Sequence, residues 1–426
     1  MPLSERSAMP PVGAPSDGAE HARAQRMQGA RRRIALVTPM LPVAHDPARG
    51  RYIHETARAL SLIADVRVFF MQPRYPRLPG LAPRSFLHEA VGDDYTLDGI
   101  AVEAFEYPAV PGLSRVTNGV VAGRLLAQRM RAFAPEVAIG YWVYPDGYAT
   151  AYAARRLGIP CIVGARGSDI HVRDRVNAYM TRGAIAKADL LLTVSKAMRQ
   201  RAIDAFGADP ERTRTIINGF DTSIFHPRPQ AEMRAKLGIA PDARVVIYVG
   251  RFVETKGLCE LLDAFASLAK RDPKLRLALV GDGVMRERLT AMIAEAGLAR
   301  RVLMPGGFEP AQVAEWIAAA DVLTLPSWSE GYPNVIVEAI ACGRPVVATD
   351  VGGTREIADE SSGILVPPRD ARALEAALAE ALARDWDRDA IAASLARNWS
   401  DVAADTLAAC EDVIAAHARG ETVSRA

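Results

Sequence analysis

Two acidic residues eight positions apart, Glu330 and Glu338 in SWSEGYPNVIVEAIACGRPVV, bracket the start of a short helical pattern. Pro333 suits a first helical turn, where no amide donor is needed and its φ is already set. From Asn334 the run VIVEAIA reads as helix, ended by Gly343 and Pro345. A helix opening this close behind a strand presents free amides and a positive dipole, the conditions that hold a phosphate. Carboxylates on both sides of such an anion can accept hydrogen bonds from sugar hydroxyls; taken alone, Glu338 reads equally well as a solvated helix residue. A second group, VGRFVETKG (249–257), places Arg251 and Lys256 behind another strand. Two fixed cations there can neutralise a departing diphosphate, where the plainer reading is two surface charges beside a turn. VGDGVMRERL (280–289) approaches a dinucleotide fingerprint, but Arg286 stands where the third glycine belongs, so a backbone turn near the ligand is expected instead. Earlier in the chain, HDPARGRYIHETARAL sets Gly50 before a helix, and GARGSDI sets Arg166, Gly167, Ser168 and Asp169 at a strand end. Asp169 is either a functional acid or a helix cap, the commoner use of Asp after a strand. His54 and His171 are candidates by residue type only.

These groups need strands and helices to position them. Short β-branched runs recur as RIALVTP (33–39), DVRVFF (65–70), PEVAIGYW (135–142), PCIVGARG (160–167), DLLLTVS (189–195) and RTIINGF (214–220). A second series runs RVVIYVGR (244–251), LRLALVGDG (275–283), RVLMPGG (301–307), DVLTLPS (321–327), PVVATD (345–350) and GILVPP (363–368). Segments of helical spacing lie between them, and this rhythm predicts parallel sheets covered by helices on both faces. The expected fold class is α/β: two doubly wound domains facing a cleft, with the joint near residues 221–240. The expected division is a polar, mobile tail over 1–30, a first domain over 31–225, a second over 226–390 and a closing helix and tail over 391–426. Ligands of open parallel sheets bind at the carboxyl ends of the strands, so the chemistry belongs in the loops just named.

Composition removes several classes. The 426 residues are 50% hydrophobic and 24% charged, the proportions of a globular chain. No run reaches the ~18 uncharged apolar residues of a membrane span, and the start lacks the apolar stretch of a secretory signal. The four scattered cysteines argue against zinc or a disulfide framework and fit a reducing compartment. Net charge is +2, but residues 1–225 hold 29 Lys and Arg against 21 Asp and Glu, giving +8, and residues 226–426 carry −6. Either this asymmetry marks a face for an anionic surface, or Arg is simply distributed unevenly.

The combination GRFVETKG, SEGYPNVIVEA with its Glu-x7-Glu, and GRPVVATDVGGTREI resembles the retaining, nucleotide-sugar-dependent glycosyltransferases of GT-B architecture, described as group 1 and family 4. IALVTPMLP, YWVYPDGYA, RGSDI and NGFDTSIF extend the likeness to roughly residues 33–418, and YWVYPDGYA with RGSDI is similar to a bacterial subgroup that builds surface polysaccharides such as teichuronic acid. The resemblance implies two Rossmann-like domains and a nucleotide-diphosphate sugar as donor, UDP-linked by default. It implies that Arg251 and Lys256 hold the diphosphate, and that Glu330 binds the donor sugar. The backbone around Gly331, Asn334 and Val335 would line sugar and phosphate. Glu338 would hold the ribose, a residue near Phe308 would meet the base, and Gly50 would approach from the opposite domain. Many relatives carry His where this chain has Arg166; Arg166 and Asp169 are kept as acceptor-side residues.

In the implied mechanism the leaving diphosphate takes the acceptor proton, so neither a protein base nor a metal or other cofactor is expected. Asp-x-Asp in RDWDRDA (384–390) falls in an Ala-rich helical stretch and reads as a solvated face. The C-terminal helical segment is expected to cross back to the first domain. The expected partners are the donor and a saccharide or lipid-linked acceptor, with no nucleic acid. A cytoplasmic location is expected, with peripheral contact to an anionic membrane through RLLAQRMRAF and Arg31, Arg32 and Arg33. The rival readings are a non-catalytic nucleotide-sugar-binding protein of the same fold, a sugar-nucleotide epimerase and a sugar phosphorylase. An oxidoreductase is disfavoured by the incomplete fingerprint.

Overall fold

Strand β1 (Arg33–Thr38) is buried at every position after the first, and β5 (Val137–Tyr141), β6 (Cys161–Ala165) and β7 (Leu190–Thr193) are buried throughout. Strands covered on both faces have no solvent side to alternate with, which is why these sequences read as continuous apolar runs. With β2 (Asp65–Arg74), β3 (Tyr95–Leu97), β4 (Ile100–Pro108) and β8 (Thr213–Thr215) they form an eight-stranded sheet in the order β3-β4-β2-β1-β5-β6-β7-β8. All its neighbours are parallel except β3 with β4. This computed structural model describes residues 31–43, 49–76, 94–167, 169–172 and 174–421; the expected 1–30 tail and Ser168 lie outside them.

The second sheet contains β9 (Arg244–Val249), β10 (Leu275–Val280), β11 (Val302–Gly306), β12 (Val322–Leu325), β13 (Val346–Thr349) and β14 (Gly363–Val366). Their order is β11-β10-β9-β12-β13-β14, parallel throughout. Helices α1 (Arg51–Ser61), α2 (Asn118–Phe133), α3 (Tyr148–Leu157), α4 (Arg175–Lys187) and α5 (Lys196–Phe206) belong to the first domain. Helices α6 (Gln230–Leu237), α7 (Leu258–Arg271), α8 (Arg286–Glu295), α9 (Pro310–Ala319), α10 (Asn334–Ala341), α11 (Ala371–Ala383) and α12 (Arg388–Ala393) belong to the second. In α7 the spacing of Leu258, Leu261, Leu262, Phe265 and Leu268 makes one apolar stripe against the sheet. The two doubly wound domains expected from the sequence are present.

Two sequence expectations change. RTIINGF was expected as a strand over 214–220, but only Thr213–Thr215 pairs in the sheet; the rest continues as the link between domains and forms an isolated bridge from Phe220 to Asn398. The antiparallel pair β3–β4 has no counterpart among the expected strands, because Glu103 and Glu106 interrupt the apolar run that would announce it.

The C-terminal crossing is observed. Leu374, Leu378 and Ile391 complete the second domain's core. Helix α13 (Trp399–Ala418) then buries Trp399, Val402, Ala403, Ala409, Cys410 and Val413 in the first domain's core, beside Ile34 and Leu36. Asn398 starts it with a capping box closed by Asp401. Among the described residues, no helix is long and apolar enough to cross a membrane, and no group of three His, Cys, Asp or Glu is placed to hold a metal.

Candidate functional site

Strand order reverses beside β1 and β5 in the first sheet and beside β9 and β12 in the second. Such switch points open a crevice at the carboxyl ends of the strands. The loops after β1, β9 and β12 carry Gly50, then Arg251 and Lys256, then Glu330, so the topology brings the residues singled out in the sequence to the crevice.

Close backbone contacts fix these loops. A Cβ on Gly257, where φ is +66°, would lie 2.0 Å from the Pro326 carbonyl oxygen, and the Trp328 amide donates to Thr255 O at 2.8 Å. The β9 and β12 loops are thereby held together, and Lys256 Nζ meets Glu330 Oε1 at 2.5 Å. Both side chains are largely covered, at 21% and 12% exposure, so solvent screens this pair less than a surface ion pair. Arg251 is exposed, and its carbonyl is held by the hydroxyl of the buried Tyr248 at 2.9 Å. VGDGVMRERL serves the same loop: a Cβ on Gly281 would strike Gly250 O at 1.9 Å, and Phe252 N donates to Asp282 O. Its glycines allow two loop backbones to touch, the turn expected in place of a dinucleotide site.

Helix α10 begins behind Pro333 with no side-chain cap, leaving its first amides available. Asn334 and Val335 are half-buried at that end. Gly331 packs against the first domain, since a Cβ there would lie 2.9 Å from both Arg166 O and Gly167 Cα. One turn into α10, Glu338 is half-buried; burial raises its carboxyl above the usual 4.5, and the Arg51 guanidinium reaching from the first domain opposes that rise. Phe308 stacks on Trp316, with centroids 6.2 Å apart and planes 17° from parallel.

From the first domain, Gly50 adopts φ +62°, where a Cβ would lie 2.3 Å from Met40 O; it starts α1 without a side-chain cap. Asp169 is buried and accepts amide hydrogens from Val143, Arg166 and Gly167. Burial raises its pKa and those amides oppose the shift, so Asp169 organises the loop around it. Arg166 lies over the Tyr141 ring, 3.9 Å from its centroid, and donates to Asn218. His171 Nε2 is enclosed without a hydrogen-bond partner; burial and Arg201 lower its pKa, while Glu330 across the cleft raises it. His54 is buried in α1, 3.2 Å from Asp98, and burial still lowers its pKa, as befits a packing residue.

Sequence reasoning missed Arg51, Tyr52 and Asn218. Burial pushes the Tyr52 phenol up to about 12, with Arg166 and then Arg251 opposing that rise from the two domains. The available signal was position: Arg51 and Tyr52 directly follow Gly50, and Asn218 opens the NGF turn of the link. Arg32 and Arg33 are tied to Glu136 and Ala134, and Arg31 to Leu62, around the amino end of β1, opposite the crevice.

The model of Glycosyltransferase Family 4 matches residues 50–224, and that of Glycosyl transferases group 1 matches residues 229–399. A protein described as a putative teichuronic acid biosynthesis glycosyltransferase, TuaC of Bacillus subtilis, is 29% identical over 81% of this chain and 88% of its own. A D-inositol 3-phosphate glycosyltransferase of Streptomyces bingchenggensis is 30% identical over 82% of this chain and 81% of its own. Among solved structures, a sucrose-phosphate synthase from Thermosynechococcus elongatus shares the fold with TM-score 0.71 and 22% identity, covering 91% of this chain and all of that one. Anabaena Alr3699/HepE in complex with UDP and glucose does so with TM-score 0.64 and 23% identity, covering 91% of this chain and 99% of that one.

Proposed function

Because the chain belongs to the GT-B glycosyltransferases of family 4 and group 1, we propose that it transfers a sugar, with retention of configuration, from a nucleotide-diphosphate sugar to a saccharide or lipid-linked acceptor in bacterial surface-polysaccharide synthesis. The observation that carries the reading is the grouping of Arg251, the Lys256–Glu330 pair and the uncapped start of α10 at one switch point. The diphosphate takes Arg251, Lys256 and the α10 amides as countercharge; Glu330 and Asn334 meet the sugar, and Glu338 accepts from the ribose hydroxyls. UDP is the preferred nucleotide, since Alr3699/HepE is described with UDP and glucose.

In the transfer, the bond from the anomeric carbon to the diphosphate oxygen breaks as the acceptor oxygen bonds the same face. The acceptor proton passes to the leaving diphosphate, and the protein stabilises the separating charges without a metal.

The acceptor side is proposed to work beside an anionic membrane leaflet, with the protein otherwise cytoplasmic. Five well-exposed apolar side chains, Val110, Leu113, Val116, Val176 and Tyr179, lie on the loop after β4 and the start of α4. These two segments adjoin, with Arg115 Nη1 3.7 Å from Asp174 Oδ1, and Arg115 and Arg175 are exposed among the apolar groups. Apolar side chains interleaved with arginines suit an anionic lipid surface.

The test is a thermal-shift panel of UDP-, GDP- and ADP-sugars on the wild type and Glu338→Ala, followed by NMR of the product's anomeric configuration. Ligand at ~100 times its dissociation constant adds about 2.7 kcal/mol, a shift of a few degrees. One nucleotide family should shift the wild type and not the variant; no shift with any donor would overturn the reading.

A further inference from the structure

Arg166 begins a chain of side-chain hydrogen bonds that ends at the start of α10. Its Nη1 donates to Asn218 Oδ1 at 3.0 Å, and Asn218 Nδ2 donates to Asn334 Oδ1 at 2.9 Å. The guanidinium is held in place between rings, 3.9 Å from the Tyr141 centroid and 5.7 Å from that of Tyr52. Asn218 is buried, in the link between the domains. The chain therefore runs from the first domain's acceptor-side loop, through the link, to the second domain's donor helix.

The direction of this chain follows from chemistry. A guanidinium has N–H donors and no acceptor. Asn218 must turn its oxygen to Arg166, which leaves its NH2 group for Asn334. Asn334 must then offer its oxygen, since two NH2 groups face to face would leave both unsatisfied. Amide oxygen and nitrogen are nearly alike in shape, so it is the network that selects one orientation over the other. A neutral imidazole at position 166 could either donate or accept and would impose no such direction. The consequence falls on Asn334 Nδ2, which hydrogen-bonds to nothing among the described residues and belongs to the first residue of α10, beside the uncapped amides.

We propose that Arg166 and Asn218 are positioning residues that lock Asn334 with its NH2 group toward the donor, as a hydrogen-bond donor to the sugar–phosphate oxygens, an inference that rests on the donor site proposed above. Arg166 thus acts on the donor through another domain's side chain, and need not touch the sugar.

Asn218→Asp tests the direction. A carboxylate still accepts from Arg166 but offers no N–H, so Asn334 turns over and presents its oxygen to the phosphate. Titration calorimetry with UDP-glucose, GDP-mannose and ADP-glucose should find the donor bound about tenfold more weakly, the worth of one net hydrogen bond. In an Asn334→Ala background the same substitution should cost nothing further. Arg166→Gln, whose amide can face either way, releases the lock without forcing the reversal. It should weaken donor binding less than Asn218→Asp does, again with no further cost in the Asn334→Ala background, and it serves if Asn218→Asp fails to fold. Wild-type affinity in Asn218→Asp, or an equal loss with and without Asn334, overturns the relay while leaving the donor site standing. A wild-type protein that binds none of the three probes sinks the donor site, and the relay with it.

Discussion

Lys256 Nζ stands 2.5 Å from Glu330 Oε1, which joins the loop after β9 to the loop after β12 through a largely covered ion pair. On the proposed donor site, a diphosphate arriving at Lys256 competes with that carboxylate, so the two partners should respond differently to substitution. Lys256→Ala should lower kcat/KM by about 10²–10³-fold through lost stabilisation of the leaving group. It should also cost about 1–2 kcal/mol of stability, between the values for exposed and buried pairs, because Glu330 is left unpaired. Glu330→Gln should abolish most sugar transfer yet bind UDP at least as tightly as the wild type, having released Lys256. Calorimetry with UDP decides this: weaker UDP binding in Glu330→Gln contradicts the competition.

Glu338 supplies a pH dependence whose sign is fixed by burial. Its carboxyl titrates above the usual 4.5 in the folded chain, so the folded state favours the protonated form relative to the unfolded one. Stability from this group is fully present below the unfolded pKa and is lost as pH rises through the higher folded value. Glu338→Gln should therefore gain stability relative to the wild type as pH is raised through that window, read from urea midpoints at a series of pH values. Nucleotide binding should run the other way, because ribose hydroxyls donate best to the ionised form. Wild-type affinity should weaken as pH falls through the same window, and Glu338→Gln, with its donor affinity already about tenfold lower, should stay flat there.

The domains also touch directly. Glu356 accepts amide hydrogens from Lys196 at 2.8 Å and Ala197 at 2.9 Å, so a carboxylate of the second domain caps α5 of the first. The contact is exposed, and its loss should cost about 1 kcal/mol of the docking between the domains. Glu356→Ala should raise the radius of gyration in small-angle scattering and raise KM for the donor several-fold. An unchanged scattering profile would remove Glu356 from the set of contacts that hold the two domains together.

The periodicity of the sequence carried most of the fold because parallel strands buried on both faces leave long apolar runs, as in RVVIYV and LRLALV. It failed at β4, where alternation with Glu103 and Glu106 belongs to the more open margin of the sheet. Of the candidate site, the second-domain loops were legible because their chemistry lies in short motifs: Arg251 with Lys256, and Glu330 with Glu338. The contribution of the first domain was harder to read. Arg51 meets Glu338, and Asn218 meets Asn334, only after two domains have docked, and nothing in local spacing encodes a partner 116 residues away.

Where the domains join, two strands of chain cross in contact, and this contact constrains both. Phe220 N donates to Arg397 O at 3.3 Å, Arg397 Nε donates to Ile217 O at 3.0 Å, and Phe220 bridges Asn398. Gly219 lies between them: a Cβ there would sit 2.4 Å from both the carbonyl carbon and the oxygen of Asn398, rigid backbone atoms with no rotamer to yield. Gly219→Ala must therefore push the crossing strands apart and tilt α13, which starts at the next residue and buries Trp399 and Val402 in the first domain. The expected cost is about 1–3 kcal/mol, the range for overpacking a close contact. Trp399→Ala, which removes a large buried ring instead, should cost about 3–5 kcal/mol. The two variants separate anchoring from hinge geometry. Trp399→Ala should lower the melting temperature more and transfer sugar normally below it. Gly219→Ala should lose more activity than stability, because the start of α10 and the Arg166 loop no longer meet in register. Equal activity of the two at a temperature where both are folded would show that the crossing serves as an anchor and does not set the angle of the cleft.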